Sequence, residues 1–393
     1  MTGADALRVA IVGSGPAGFY AAEQLLGAGA SVDVFERLAT PWGLVRAGVA
    51  PDHPKIKAVT RRYEKTAAID GFRFFGNVEI GREVGVEELR RHYHAVLYAF
   101  GAAGDRRLGI PGEDLPGSHS ATAFVAWYNG HPDHCDRSFD LAGTTAVVVG
   151  NGNVALDVAR MLALPRETLA RTDVADHALA ALAASSVREV VVLGRRGPAQ
   201  AAFTTPELIE LSELAGADVV VDPGDVPAAE PGADAAVLRR LALLDRCASA
   251  APGGRARRIV LRFFAAPTEI VGRDRVEGVR VARTRLDEAQ RAVVTERVET
   301  IPCRLVLRSV GYRGTPLPGV PFDGRRGTIP NERGRVLDAP GATQRPGEYV
   351  SGWIKRGPSG IIGTNKKDSQ ETVDALLADR AAGALPAPVV GDP

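Results

Sequence analysis

Gly13-Ser14-Gly15-Pro16-Ala17-Gly18 follows an apolar run, residues 7–12, and opens an Ala- and Leu-rich stretch reaching about Leu26. A bare G-x-G-x-x-G is weak. Placed between a strand and a helix it reads as a dinucleotide turn. The following strand, residues 31–36, ends in Glu36, where a ribose-binding acid is expected. A second turn, Gly150-Asn151-Gly152-Asn153-Val154-Ala155, follows the apolar run 144–149 and opens a helix to about Ala163. Its next strand, residues 187–193, delivers Arg195 and Arg196. The two units differ in sign. An acid suits a ribose with a free 2′-hydroxyl, whereas paired guanidinium groups suit a 2′-phosphate. The expectation is an α/β fold with two Rossmann-like domains, one for FAD and one for NADP(H).

The residue types fit those tasks. Gly13 permits the tight turn, Gly15 lets the backbone approach a pyrophosphate, and Gly18 lets helix and strand pack closely. Backbone N–H groups at the helix start face the phosphates. Glu36 is expected to accept hydrogen bonds from the ribose hydroxyls. Ala155 stands where a third glycine would, which moves that helix slightly off its strand. Arg195 and Arg196 predict a preference for NADPH over NADH.

Outward from the turns, residues 41–54 are punctuated by Pro and Gly and read as a loop. A helix is expected over 56–66, with strands near 72–75 and 94–100. Composition shifts over 101–117, which marks a domain crossover. Residues 208–214 and 237–248 read as helices around a surface loop, 226–236. The alternation over 258–307 reads as antiparallel strands, and 304–310 as the return to the first domain. A helix is expected at 370–377, and 385–393 as a frayed tail. The expected domains are a discontinuous FAD domain, 1–105 and 315–393, interrupted by an NADP domain, 106–314.

The 393 residues suffice for two or three domains, and 45% hydrophobic with 24% charged residues indicates a sizeable core. A net charge of +1 gives no global attraction to nucleic acid or acidic lipid. Cys135, Cys247 and Cys303 are scattered without a Cys-x-x-Cys pair, which argues against a redox disulfide, an iron–sulfur cluster or thiolate zinc. His131-x-x-His134-Cys135 lies in a Pro-Asp loop without a second ligand pair and reads as surface rather than metal site. Residues 1–8 show no leader, scattered thiols fit a reducing cytoplasm, and no apolar run approaches the ~20 residues of a membrane span.

The stretch Pro41-Trp42-Gly43-Leu44-Val45-Arg46-Ala47-Gly48-Val49-Ala50-Pro51-Asp52-His53-Pro54 resembles a signature of the adrenodoxin-reductase-like ferredoxin–NADP(+) reductases. So do Gly150-Asn151-Gly152-Asn153-Val154-Ala155-Leu156-Asp157-Val158-Ala159-Arg160, Gly194-Arg195-Arg196-Gly197-Pro198, residues 263–272, and Gly352-Trp353-Ile354-Lys355-Arg356-Gly357-Pro358-Ser359-Gly360. The similarity runs from about residue 7 to about residue 385. It implies FAD contacts from Ala17, Glu36, Leu44 and Ile80, with Trp353, Gly360, Ile361 and Ile362 approaching the isoalloxazine. It implies NADP contacts from Asn151, Gly152, Asn153, Val154, Arg195, Arg196, Glu207 and Gly360. His53 and Glu210 match positions near the flavin and nicotinamide and are the catalytic candidates. Glu207 also has a plainer reading: Thr205 can cap a helix that has Pro206 and a first-turn acid.

The resemblance supplies the reaction. Hydride passes from NADPH to flavin N5, and single electrons pass to a separate ferredoxin-type iron–sulfur protein. An acidic carrier needs a local basic surface, for which Arg239, Arg240, Lys355 and Arg356 are candidates. The alternatives are an NADPH-dependent flavin monooxygenase and a catalytically silent FAD-bound interaction protein. Relatives usually continue beyond the helix at 370–377. The stop at Pro393 is expected to bear on stability and domain coupling more than on cofactor identity.

Overall fold

Five-residue apolar strands carrying Val and Ile, each followed by a glycine turn and an Ala-rich helix, set the architecture. The computed structural model describes residues 7–229, 232–250 and 253–389. Over those residues the chain divides into two units. One comprises Met1–Val49, His53–Asp105 and Gly311–Pro393, the other Ala50–Asp52 and Arg106–Val310.

The first unit begins with β1 (Arg8–Val12), α1 (Pro16–Gly27) and β2 (Ser31–Glu36). It continues through α2 (Leu44–Ala47), α3 (Pro54–Lys57), α4 (Thr60–Ala67), β3 (Phe72–Gly76), α5 (Val86–His92), β4 (Ala95–Tyr98) and β5 (Gly104–Asp105). The second unit holds β6 (Ser118–Ser120), α6 (Ala121–Tyr128), β7 (Thr145–Val149), α7 (Asn153–Ala163), α8 (Arg166–Leu169), α9 (Asp176–Ala183) and β8 (Glu189–Leu193). Then come α10 (Thr205–Ser212), β9 (Ala217–Val221), α11 (Ala235–Ser249), β10 (Arg257–Arg262), β11 (Ala265–Val271), β12 (Gly278–Leu286), β13 (Ala292–Pro302) and β14 (Leu305–Arg308). The chain finishes in the first unit with β15 (Tyr312–Arg313), β16 (Asn331–Glu332), β17 (Arg335–Leu337), β18 (Gln344–Val350), α12 (Trp353–Arg356) and α13 (Thr364–Ala381).

The first unit's sheet runs β16-β17-β18-β4-β1-β2-β3. β18, β4, β1, β2 and β3 are parallel, and β16 and β17 are antiparallel additions. The first glycine turn leaves β1 where the strand order reverses, the crevice in which open α/β sheets bind ligands. Packing of α1 and α13 on one face buries Leu7, Val9, Ile11, Leu25, Val373 and Leu376. The second unit's sheet, β6-β14-β7-β8-β10-β9, is parallel throughout. A three-stranded antiparallel sheet, β11-β12-β13, belongs to the same unit.

Several expectations need correction. Of the alternating run 258–307, only β11 to β13 are antiparallel; β10 and β14 join the parallel sheet. β14 therefore does not return the chain to the first unit. The return comes at Gly311, where β15 pairs with β5 to form a two-stranded ribbon. The expected helix at 56–66 is two pieces, α3 and α4, and the 41–54 loop contains α2. Residues 385–389 are docked rather than frayed: Leu385 packs on the first core and the Val389 N–H donates to the Arg91 carbonyl at 2.9 Å. The remainder of that expected tail, 390–393, lies outside the described residues.

Candidate functional site

In the first unit the three glycines do different work. Gly13 has φ +105, and a Cβ there would lie 2.6 Å from the Phe100 Cα. A Cβ on Gly18 would lie 2.2 Å from the Gly13 carbonyl oxygen. Gly15 faces open space, with nothing within 4 Å of an added Cβ. Two glycines thus seat α1 on its strand, and the third leaves a bare backbone surface at a helix N-terminus. That surface fits a pyrophosphate. Residues 42–43 fold back over it. The Trp42 N–H donates to the Ser14 carbonyl at 3.0 Å, and Gly43, at φ +49, puts its Cβ position 3.1 Å from the Gly15 Cα. Leu44 then opens α2.

Glu36 is already engaged. One carboxylate oxygen accepts the Ser14 N–H at 3.2 Å and the Ser14 hydroxyl at 2.6 Å, and the other accepts the Leu38 N–H at 3.1 Å. A carboxylate offers about four acceptor positions. Three are filled, which leaves one position open on Glu36. Ala17 packs at the base of the turn, and a Cβ on Gly352 would lie 2.7 Å from its Cβ. Ile80 buries its side chain in a core with Val12 and Phe35, leaving its main chain for any ligand contact.

The 352–364 segment is fixed by α13. Asp368 accepts the Gly352 N–H at 2.5 Å and the Arg356 guanidinium at 2.9 Å. The Trp353 indole donates to the Ser359 carbonyl at 3.1 Å, and its ring centroid is 5.1 Å from that of Tyr312. Gly360, at φ +81, sits where a Cβ would lie 2.6 Å from Thr364 Oγ1, and that hydroxyl accepts the Ile361 N–H at 3.1 Å. Glycine at 360 is thus demanded by the turn itself, beside any approach to a ring. The Ile361 side chain is exposed, while Ile362 packs against the cluster of Phe19, Tyr20, Val45 and Tyr63. His53 is buried and precedes α3; its carbonyl receives the Ile56 and Lys57 N–H groups, and its side chain makes no capping bond.

The second unit repeats the scheme. Gly150, at φ +121, would place a Cβ 2.1 Å from the Ser309 carbonyl oxygen, whereas Gly152 is open apart from the Ala202 Cβ at 4.0 Å. Ala155 is fully buried, so this unit accommodates the extra methyl. The Asn151 carbonyl accepts from the Ala202 and Phe203 N–H groups, and Asn153 Oδ1 accepts the Thr204 N–H at 2.8 Å. Val154 packs against the core of this unit. These bonds seat the approach to α10, whose cap is Thr204 rather than the expected Thr205. α10 carries Glu207 and Glu210 one turn apart. Arg195 and Arg196 stand exposed past the end of β8, and among the described residues no carboxylate forms an ion pair with either guanidinium. Two exposed guanidinium groups side by side fit a dianion.

Arg160, on α7, is the large charged group that sequence reading passed over. Its side chain is 1% exposed. It bonds Asp52 at 2.6 and 3.1 Å and Asp157 at 2.8 Å, and lies 3.9 Å from Glu207. Burial works against its charge, but the Asp52 bond and the fields of Asp157, Asp52 and Glu210 outweigh it and raise its pKa. Two of the named docking cations are corrected. Lys355 is buried and paired with Asp368 and Glu371, and Arg356 is spent on Asp368, the Ser359 carbonyl and Asn365. Arg240 is half-buried, 5.7 Å over the Phe203 ring, and donates to the Ala199 carbonyl, while Arg239 is exposed. Thr284, whose hydroxyl bonds the Arg195 carbonyl, carries no local signal because its partner is distant in sequence.

Two nucleotide-binding units with opposite charge at equivalent strand ends define an oxidoreductase of the two-dinucleotide class. The sequence model of the family described as "Pyridine nucleotide-disulphide oxidoreductase" matches residues 7–196. NADPH-ferredoxin reductase FprA of Mycobacterium tuberculosis is 52% identical over 384 residues, covering 94% of this chain and 83% of that protein. Bos taurus mitochondrial NADPH:adrenodoxin oxidoreductase is 46% identical over 400 residues, covering 96% and 80%. The solved structure of M. tuberculosis FprA in complex with NADPH matches with a TM-score of 0.92 and 50% identity over 97% of this chain and 87% of that one. The chain belongs to the NADPH–ferredoxin reductase family that includes FprA and adrenodoxin reductase. Thioredoxin reductase of T. acidophilum, at 18% identity and a TM-score of 0.55, shares the fold. No helix among the described residues is long and apolar enough to cross a membrane.

Proposed function

We propose that this chain is an FAD-dependent NADPH–ferredoxin reductase, with FAD held by the unit that contains β1 and NADP(H) by the unit that contains β7. The observation that carries this reading is the exposed Arg195–Arg196 fork, which no carboxylate among the described residues pairs, set against Glu36 at the equivalent strand end of the other unit. When bound, FAD takes two electrons from a reduced nicotinamide as hydride and releases them singly to a one-electron carrier. The chain's own residues bind and orient. The N–H groups after Gly15 and Gly152 face pyrophosphates, Glu36 holds the flavin-side ribose, and Arg195 with Arg196 clamps the 2′-phosphate.

Leu44, Ile80, Ala17, Trp353 and the 360–362 turn frame the flavin. Asn151, Asn153, Val154, Glu207 and Gly360 frame the nicotinamide nucleotide. His53 and Glu210 are assigned to the catalytic environment, where a polar group orients the nicotinamide and manages a proton. The electron acceptor is a ferredoxin-type iron–sulfur protein, received by a basic surface that includes Arg239. Three free thiols in separate settings support a reducing, cytoplasmic compartment.

Anaerobic stopped-flow tests the reading. NADPH should bleach the flavin absorbance, and a ferredoxin added next should restore it within the same experiment. Bleaching that only oxygen plus a small organic substrate reverses would indicate a monooxygenase. Flavin that NADPH cannot bleach would indicate a silent binding protein.

A further inference from the structure

The loop that presents Arg195 and Arg196 is held by the antiparallel sheet of its own unit, β11-β12-β13. The Gly194 carbonyl accepts the Ala265 N–H at 3.0 Å. The Arg195 carbonyl accepts the Thr284 hydroxyl at 2.8 Å. The Arg196 carbonyl accepts the Phe264 N–H at 3.1 Å. Three successive carbonyls are therefore fixed, and only the middle one is fixed by a side chain.

Thr284 is suited to that position. Its side chain is buried, and its own N–H donates to the Phe264 carbonyl at 2.8 Å, which ties the two anchors together. Between the pairs Ala282–Val298 and Thr284–Val294, β12 has Arg283 alone while β13 has Thr295, Glu296 and Arg297, so β13 bulges opposite Arg283. A bulge re-aims the side chains beside it. Here Arg283 ion-pairs with buried Asp225 and sets its guanidinium 5.3 Å over the Phe264 ring. Phe264 holds φ +50, a conformation unusual for a bulky residue. A Cβ on Gly197 would lie 2.6 Å from the edge of its ring, so the ring fixes the far end of the arginine loop.

We propose that Thr284 is a positioning residue for 2′-phosphate recognition, setting through the Arg195 carbonyl where the guanidinium pair stands and so how strongly NADPH is preferred over NADH. The inference deepens the NADP(H) reading of this unit and rests on it. The arginines supply the charge. The Thr284 hydroxyl, with the Phe264 and Ala265 N–H groups, supplies the geometry, and bidentate bonds are lost when the fork is displaced.

The test is calorimetric titration of the flavin-loaded full-length enzyme with 2′,5′-ADP and with 5′-AMP, which differ by the 2′-phosphate. Thr284→Val keeps the shape and removes the donor. It should weaken 2′,5′-ADP binding about five- to tenfold, the size of one lost hydrogen bond, and change 5′-AMP binding less than about twofold. Thr284→Ser, which restores the hydroxyl, should recover 2′,5′-ADP affinity to within about twofold of wild type. In an Arg195→Ala/Arg196→Ala background, Thr284→Val should have no further effect on the preference, since residues acting through one another are not additive. Equal loss of both ligands, or an unchanged ratio in the Val variant, overturns the proposal. If Thr284→Val fails to fold, Thr284→Ala carries the same expectation. A wild-type enzyme that does not favour 2′,5′-ADP, or an Arg195→Ala/Arg196→Ala variant that keeps the preference, would instead overturn the NADP(H) reading beneath it.

Discussion

At the residue scale, the glycines of the two turns divide into those the fold needs and those a ligand needs. Gly15 has φ −73 and Gly152 has φ −93, which alanine adopts freely, and both look onto open space. Gly15→Ala and Gly152→Ala should therefore fold with an unchanged melting temperature. Each should weaken its own dinucleotide by about tenfold, because a methyl that overpacks a bound phosphate costs roughly 1–3 kcal/mol. Gly13→Ala and Gly150→Ala are different. Positive φ and a Cβ within 2.6 and 2.1 Å of main-chain atoms should reduce the soluble folded yield of both. Flavin content per chain, 2′,5′-ADP affinity and thermal melts separate the classes. If Gly15→Ala melted early, or Gly150→Ala folded normally, the division would be wrong. The spacing of these glycines was legible in the sequence because turn, helix and strand are neighbours along the chain. Thr284 and Arg160 were not, since their partners lie 89 and 108 residues away and no local period records such contacts.

At the element scale, α13 is pinned to the sheet edge by Asp379. It accepts two bonds from Arg335 on β17 at 2.8 Å each and the Tyr349 hydroxyl on β18 at 2.6 Å. The Arg335 bond, against the opposing effect of burial and with help from Tyr349, holds the Asp379 carboxyl below the ordinary aspartate range. A depressed folded-state pKa contributes stability that is complete above the unfolded value of about 3.9 and is lost as pH falls through the folded value. Asp379→Asn should therefore cost about 2 kcal/mol near pH 7 and progressively less below about pH 4. Paired thermal melts of wild type and variant from neutral to acid pH measure it. A difference that stays constant with pH would show that the charge is not what matters. The same part of the chain shows where element reading stops. The long helix was visible over its middle, but its start at Thr364 depends on the Gly360 turn. Likewise β10 shows the apolar alternation of a strand, yet its parallel place between β8 and β9 follows from non-local pairing. The four-residue helices α2 and α3 are too short to show a period.

At the scale of the whole molecule, a net charge of +1 leaves no long-range field to draw in an acidic carrier, so docking depends on local cations. Most arginines singled out here are otherwise occupied: Arg160 and Arg356 in ion pairs, Arg240 on Phe203 and main-chain carbonyls. Arg239 has neither burden among the described residues and stands exposed on α11. The two neighbours should consequently answer differently to the same change. Arg239→Glu should leave the melting temperature alone, raise the apparent Michaelis constant for ferredoxin about two- to fivefold at low salt, and flatten its dependence on ionic strength. Arg240→Glu should instead lower the melting temperature, because it removes the contact with Phe203 and the donor to the Ala199 carbonyl, and any kinetic change would follow from that loss. Steady-state assays across a salt series, run beside thermal melts, resolve the two. An Arg239→Glu enzyme with wild-type ferredoxin kinetics at every ionic strength would move the docking surface elsewhere on the molecule.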